Sequence, residues 1–185
     1  GAAGAAGADG SDGATGAKGD TGATGVAGAT GATGATGASG VSGSITELTD
    51  ALIEDNSLYI GNDPSATTSE AKYNLAIGAT ALNSVTTGDY NVAIGFDALT
   101  TNTSGYYNTA IGAFSLYSNT TGRGNIASGY SALYYNTTGQ DNIASGSNAL
   151  VYNTTGNNNI ASGSGALLNN TTGSNNIAIG IKSLR

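Results

Sequence analysis

The chain has 185 residues and a net charge of −7; it contains no Cys, Met, Trp or His, and only 9% of its residues are charged. Without Cys and His it has no disulfides, no thiolate or imidazole metal site and no histidine-dependent catalysis. No apolar run nears the roughly 20 residues of a membrane span, and the charges, nine acids against Lys18 and Lys72 in residues 1–73 and three of each sign after them, leave no basic footprint for nucleic acid.

Residues 1–43 place Gly at every third position from Gly1 to Gly43 without a slip. Three polyproline II strands wind together only when the residue at the crowded axis has no side chain. The strict period therefore predicts a collagen-like triple helix and, with it, a homotrimer of identical chains. A flexible Gly/Ala/Thr linker is the alternative, but a linker needs many glycines and no fixed register. The tract has no Pro, so its chains are not stiffened in advance and are expected to rely on folded trimers at their ends. The chain opens inside one repeat and closes inside another, which reads as a piece of a longer protein.

Residues 44–56, SITELTDALIEDN, break that register. Ser44 and Glu47 form a capping-box pair, and Ile45, Leu48 and Leu52 fall on one helical face. The spacing predicts a short helical neck, either a three-stranded coiled coil or a single helix lying on the domain that follows.

From residue 57 the chain counts in seventeens. Asn74, Asn91, Asn108, Asn125, Asn142, Asn159 and Asn176 begin successive units of the form N-x-A-[IS]-G-x-x-[AS]-L-x-x-[NV]-T-[TS]-G-x-x. Residues 57–73 keep the length but lose the Leu and the NTTG, as a capping coil would; 74–175 hold six full repeats and 176–185 a partial one. Seventeen residues are too few for a helical-pair repeat and suit one coil of a parallel β-solenoid, with two short strands and two turns. The expected fold is therefore all-β, each coil burying an Ile, an Ala and a Leu and serving as the template for the next. The fourth position alternates Ile with Ser (Ser128, Ser145, Ser162), which makes the Ala and Leu columns the better core candidates. Gly at the turns is expected to supply positive φ, with Asn and Thr bonding locally.

The combination of motifs resembles phage tail fibres and related trimeric surface fibres. NTAIGAFSLYSNTTG, residues 108–122, is similar to AIG-ALxxNTTG repeats of fibre proteins, and the NxAIG core is similar to the head repeats of trimeric autotransporter adhesins. The resemblance implies a virion tail fibre, or else a bacterial cell-surface adhesin stalk. Its partners would be two identical chains, other tail or baseplate proteins, and a glycan or protein of the host surface.

Side-chain chemistry points to contact and not to catalysis. Tyr117, Tyr130, Tyr134, Tyr135 and Tyr152 gather on adjacent coils and form a candidate glycan-stacking strip; packing along the rod or between chains is the plainer role. Asn102, Asn119, Asn136, Asn153 and Asn170 begin N-x-[ST] sequons, but their recurrence is already accounted for by a turn. Thr120, Thr137, Thr154 and Thr171 form a column with the spacing of an ice-binding array or of a repeated turn. No residue set predicts a cofactor, a calcium coil or an enzyme: the repeats carry only three scattered acids where a calcium coil needs Asp in every turn, paired carboxylates occur only in the acidic neck with no pocket implied, and no Gly-rich phosphate loop precedes a Lys.

Overall fold

The computed structural model describes Gly13, Gly16, Ala17, Gly19, residues 51–61 and residues 70–185. The chain divides into two units, 1–36 and 37–185, and the Gly-X-Y tract lies almost wholly outside the described residues. The second unit is a parallel β-solenoid of about seven turns, about 17 residues each.

The solenoid starts with a hairpin. β1 (Ala51–Glu54) runs antiparallel to β2 (Ser57–Ile60), pairing Ala51 with Ile60 and Glu54 with Ser57. The two residues between them, Asp55 and Asn56, both have positive φ, 46° and 61°; that is the geometry whose twist matches paired strands. This corrects the helical neck over residues 51–56. The capping-box spacing competes with a two-residue turn and a ready strand partner, and the partner wins because Leu52 then packs on the core. Ile45 and Leu48 lie outside the described residues.

Seven strands follow in sequence order: β3 (Leu75–Ile77), β4 (Val92–Ile94), β5 (Thr109–Ile111), β6 (Ile126–Ser128), β7 (Ile143–Ser145), β8 (Ile160–Ser162) and β9 (Ile177–Ile179). Each pairs in parallel with the one before at an offset of 17 residues, so that Ala76, Ala93, Ala110, Ala127, Ala144, Ala161 and Ala178 form one column. Hydrogen bonds leave each strand from β3 to β8 in both directions. Val92 N–H donates forward to Asn108 O at 2.8 Å, and Gly95 N–H donates back to Ile77 O at 2.8 Å.

Among the described residues each coil has one strand, where two were expected. The stretch after the strand's Gly is a run of turns: Ala98 N–H donates to Gly95 O at 3.3 Å and Asn102 N–H to Leu99 O at 3.2 Å. Two residues of that stretch are left-handed in each coil from β3 onward, including the Leu column from Leu82 (53°) to Leu184 (49°). A left-handed Leu costs about 1–2 kcal/mol. Complete burial of Leu82, Leu99, Leu116, Leu133 and Leu150 offsets this with about 1.5–3 kcal/mol per side chain.

The core holds two Ala and a Leu from a typical coil, such as Ala144, Ala149 and Leu150. It does not hold the Ile expected there. Ala occupies the middle of each three-residue strand and points inward, so its two neighbours must point out; Ile126 and Ile143 are 44% and 39% exposed. At the first coil Tyr59 takes the place of the Ala and is fully buried, closing the end of the core with a bulky ring.

The remaining interior is polar. Asn91, Asn108, Asn125, Asn142 and Asn159 are fully buried, as are Asn102, Asn119, Asn136 and Asn153, in two ladders running along the stack. In the first, Asn142 Nδ2 donates to Asn125 Oδ1 at 3.1 Å and to Gly156 O at 2.8 Å. In the second, Asn153 Nδ2 donates to Asn136 Oδ1 at 2.9 Å and to the same Gly156 O at 3.0 Å. Both amide hydrogens are thus satisfied in each case, which is the condition for burying an amide. The first ladder begins where Asn74 N–H donates to Ser57 Oγ at 2.9 Å.

The NTTG stretch follows from this interior. Its Asn belongs to the second ladder. Thr120, Thr121 and Gly122 direct three N–H groups, at 3.0, 3.3 and 3.3 Å, onto the carbonyl of Thr137 one coil ahead, where the Thr120 hydroxyl also donates at 3.1 Å. The closing Gly is not a positive-φ residue, contrary to expectation. A Cβ at Gly139 would strike Asn136 Oδ1 and come within 2.6 Å of Gly156 O. Close approach of coils and amides, not turn conformation, demands glycine there.

Candidate functional site

Columns that point outward repeat their chemistry every 17 residues, so like rings stack. Tyr117 and Tyr134 lie parallel with centroids 4.9 Å apart, and Tyr135 and Tyr152 likewise at 5.5 Å. Tyr134 meets Tyr135 edge-on at 4.6 Å. Tyr130 enters the group through Phe114, whose ring lies 5.8 Å from Tyr130, 6.2 Å from Tyr117 and 6.3 Å from Tyr134. All five tyrosines read from the sequence are therefore one network of ring contacts. Its hub, Phe114, was missed because it sits at a different place in its coil; the coil path that brings it alongside is not visible in the spacing.

The network has an inner and an outer part. Tyr117 and Tyr134 are half-buried, and burial, followed by the neighbouring Tyr117 and Tyr135 phenols, raises the Tyr134 phenol above its usual range. Tyr135 and Tyr152 are 46% and 47% exposed. They form one wall of an open cleft of about 420 Å³ completed by Ser118, Thr137, Thr154 and Thr171. The Thr137 and Thr154 hydroxyls donate to Thr154 O and Thr171 O at 3.1 and 3.0 Å, so each hydroxyl oxygen keeps acceptor capacity. An apolar ring face beside a row of acceptors suits a flat ligand with C–H bonds on one side and hydroxyl donors along its edge.

A second aromatic column escaped the sequence reading. Tyr73, Tyr90 and Tyr107 stack at 4.8 and 5.0 Å, and the 17-residue spacing that could have revealed it is plain in the sequence. Arg123 sits 5.8 Å over the Tyr106 ring, a contact worth about 0.5–1 kcal/mol at an exposed site.

The Thr column holds coils together. The hydroxyls of Thr86, Thr103, Thr120, Thr137 and Thr154 each donate to the Thr carbonyl 17 residues on, which is the repeated-turn reading. The sequons are equally committed: Asn102, Asn119, Asn136 and Asn153 are buried. In the folded protein these four are expected to stay unglycosylated, and mass analysis of protein passed through a glycosylating secretory route should find no hexosamine on them. Among the described residues no three His, Cys, Asp or Glu side chains gather as metal ligands, and no helix is long and apolar enough to cross a membrane.

Residues 1–47 match the collagen triple helix repeat family (20 copies). No curated protein and no solved structure matches the chain. The N-terminal segment is collagen-like, and collagen triple helix repeats imply self-association as trimers. A collagen-like repeat joined to a β-solenoid fits a fibrous structural protein.

Proposed function

We propose that this chain is a segment of a homotrimeric attachment fibre, a virion tail fibre that carries or forms the contact with a host surface, and that it performs no catalysis. The observation that supports it best is the joining, in one polypeptide, of a collagen-like segment to an in-register β-solenoid. Both are repeats that extend unit by unit, a triple helix by winding three strands together and a solenoid by stacking each coil on its neighbours. The adhesive part of the reading is supported by the exposed Tyr135–Tyr152 wall and its Thr-lined cleft, which suit a surface glycan. A bacterial trimeric surface adhesin is the second reading, favoured by the N-x-A-I-G repeat itself; immunogold labelling of virions against cells separates the two.

Native mass spectrometry of the full chain is expected to give three chains per particle, and a monodisperse monomer would overturn the fibre reading. For adhesion, the Tyr135→Ala/Tyr152→Ala pair is expected to weaken binding to a glycan array by about tenfold, or about 1.4 kcal/mol, with an unchanged circular dichroism spectrum. Equal binding by the double variant removes the cleft from the reading.

A further inference from the structure

We propose that the outward face of the parallel sheet, from β3 to β9, is the surface on which two further copies of this chain pack. All-parallel sheets are found with both faces covered. Here the inner face is covered by the core of its own coil, and the outer face is bare: Ile111 is 43% exposed, Ile126 44%, Ile143 39% and Ile177 64%.

The composition of that face is selective. Its side chains come from the first and third residues of each strand, and none is charged; the charged residues of 70–185 all fall elsewhere in the coil. The aliphatic content is also conserved within the stack by exchange. β5 carries Thr109 beside Ile111, whereas β6 to β8 carry Ile in the first place and Ser in the third, as in Ile126 and Ser128. Every strand from β3 to β9 therefore keeps at least one Ile or an Ile–Leu or Ile–Val pair on this face. A solvated sheet face of a soluble protein would alternate toward polar residues in both places; an interface core is depleted in charge and rich in large apolar groups.

The occupant is a second copy, and the reason lies in the same polypeptide. Collagen triple helix repeats imply a trimer, so three solenoids leave the same tether in the same chain direction. Tethering turns their association into an intramolecular event at high effective concentration. With chains running the same way, like coils meet like coils, and the stripe moves from the third strand position at Ile111 to the first at Ile126 in all three copies together. A slip by one coil at that step would set Ile against Thr or Ser, so the exchange also fixes register. The proposal rests on the trimeric reading and specifies its contact surface.

The chain has no native cysteine, which makes single-cysteine variants of the full chain clean reporters. Ser145→Cys lies on the outer sheet face of β7, and Thr138→Cys is exposed on the NTTG turn, off the sheet. Under mild oxidation at low protein concentration, Ser145→Cys is expected to give about tenfold more covalent dimer than Thr138→Cys. Adding Ile126→Lys and Ile143→Lys to Ser145→Cys is expected to abolish that cross-link and, because the Pro-free Gly-X-Y tract relies on folded trimers at its ends, to shift native mass from three chains toward one. A trimer that cross-links equally at both positions, or only at Thr138→Cys, overturns the proposed face and leaves the trimer standing. A monomer by native mass for the chain without the Lys changes overturns the trimeric reading itself.

Discussion

Gly146→Ala is expected to lower the stability of the solenoid by about 2–6 kcal/mol, read as a fall in the urea midpoint followed by circular dichroism. Two causes act together. Gly146 has φ +132°, a conformation that side-chain-bearing residues rarely adopt, and its Cβ would lie 2.7 Å from the Gly163 carbonyl carbon and 2.8 Å from its oxygen. Those atoms are backbone of the next coil and cannot swing aside. The coil spacing, set by the hydrogen bonds on either side, would have to open. Gly165→Ala is the control. Its φ of +65° is also left-handed, but its Cβ would meet only Lys182 Cγ, at an ordinary 3.6 Å, and Thr80, Asp97, Phe114, Ser131 and Asn148 hold the same place in other coils. That variant is expected to lose about 1–2 kcal/mol. Equal losses for the two would show that coil-to-coil contact is not what demands glycine after the strand.

Asn142→Asp changes one atom in size hardly at all and is expected to cost about 3–5 kcal/mol at pH 7, of the order found when a buried charge has lost its partner. The Asn142 Nδ2 group faces Asn125 Oδ1 and Gly156 O, both acceptors. A carboxylate oxygen in its place would put a third acceptor, carrying charge, against the other two. The pH dependence follows from linkage. Burial and two facing acceptors raise the folded-state pKa of the new carboxyl above its unfolded value. Between those two values the folded state binds more protons than the unfolded state, so the variant loses stability as pH rises through that window and regains part of it on acidification. Asn142→Ala is expected to be destabilising without this pH dependence, because it leaves the Asn159 N–H without the Asn142 Oδ1 acceptor it has at 3.0 Å. The exposed Thr138→Ala change is expected to stay within about 0.5 kcal/mol. If Asn142→Asp unfolds at the wild-type urea concentration, the buried amide ladder is not what joins these coils.

Much of the candidate binding surface was legible in advance, and for a simple reason. An in-register stack brings residues 17 apart into contact, so Tyr117 with Tyr134 and Tyr135 with Tyr152 follow from arithmetic. Contacts between different places in the coil do not. Phe114 reaches Tyr130 and Tyr134 because successive left-handed residues, Phe114 and Leu116 among them, steer the chain around a tight corner, and no spacing rule encodes that path. The cleft beside Thr137 and Thr154 is hidden for the same reason.

By itself the sequence determined the period, the absence of any insertion, the Leu and Ala core columns and the collagen-like segment, because a solenoid copies each local choice into the next coil. Only the tertiary structure decided what lies on which side. It turned Ile outward and Asn inward, since a strand of three residues has room for one inward side chain and Ala takes it. Asn, ordinarily an exposed residue, becomes interior when the Asn of the preceding coil and a Gly carbonyl supply partners for both its hydrogens. It also turned Leu52 into a strand residue, because Ser57–Ile60 offered an edge to pair with. These are choices made by neighbours, and they exist only once the neighbours are in place.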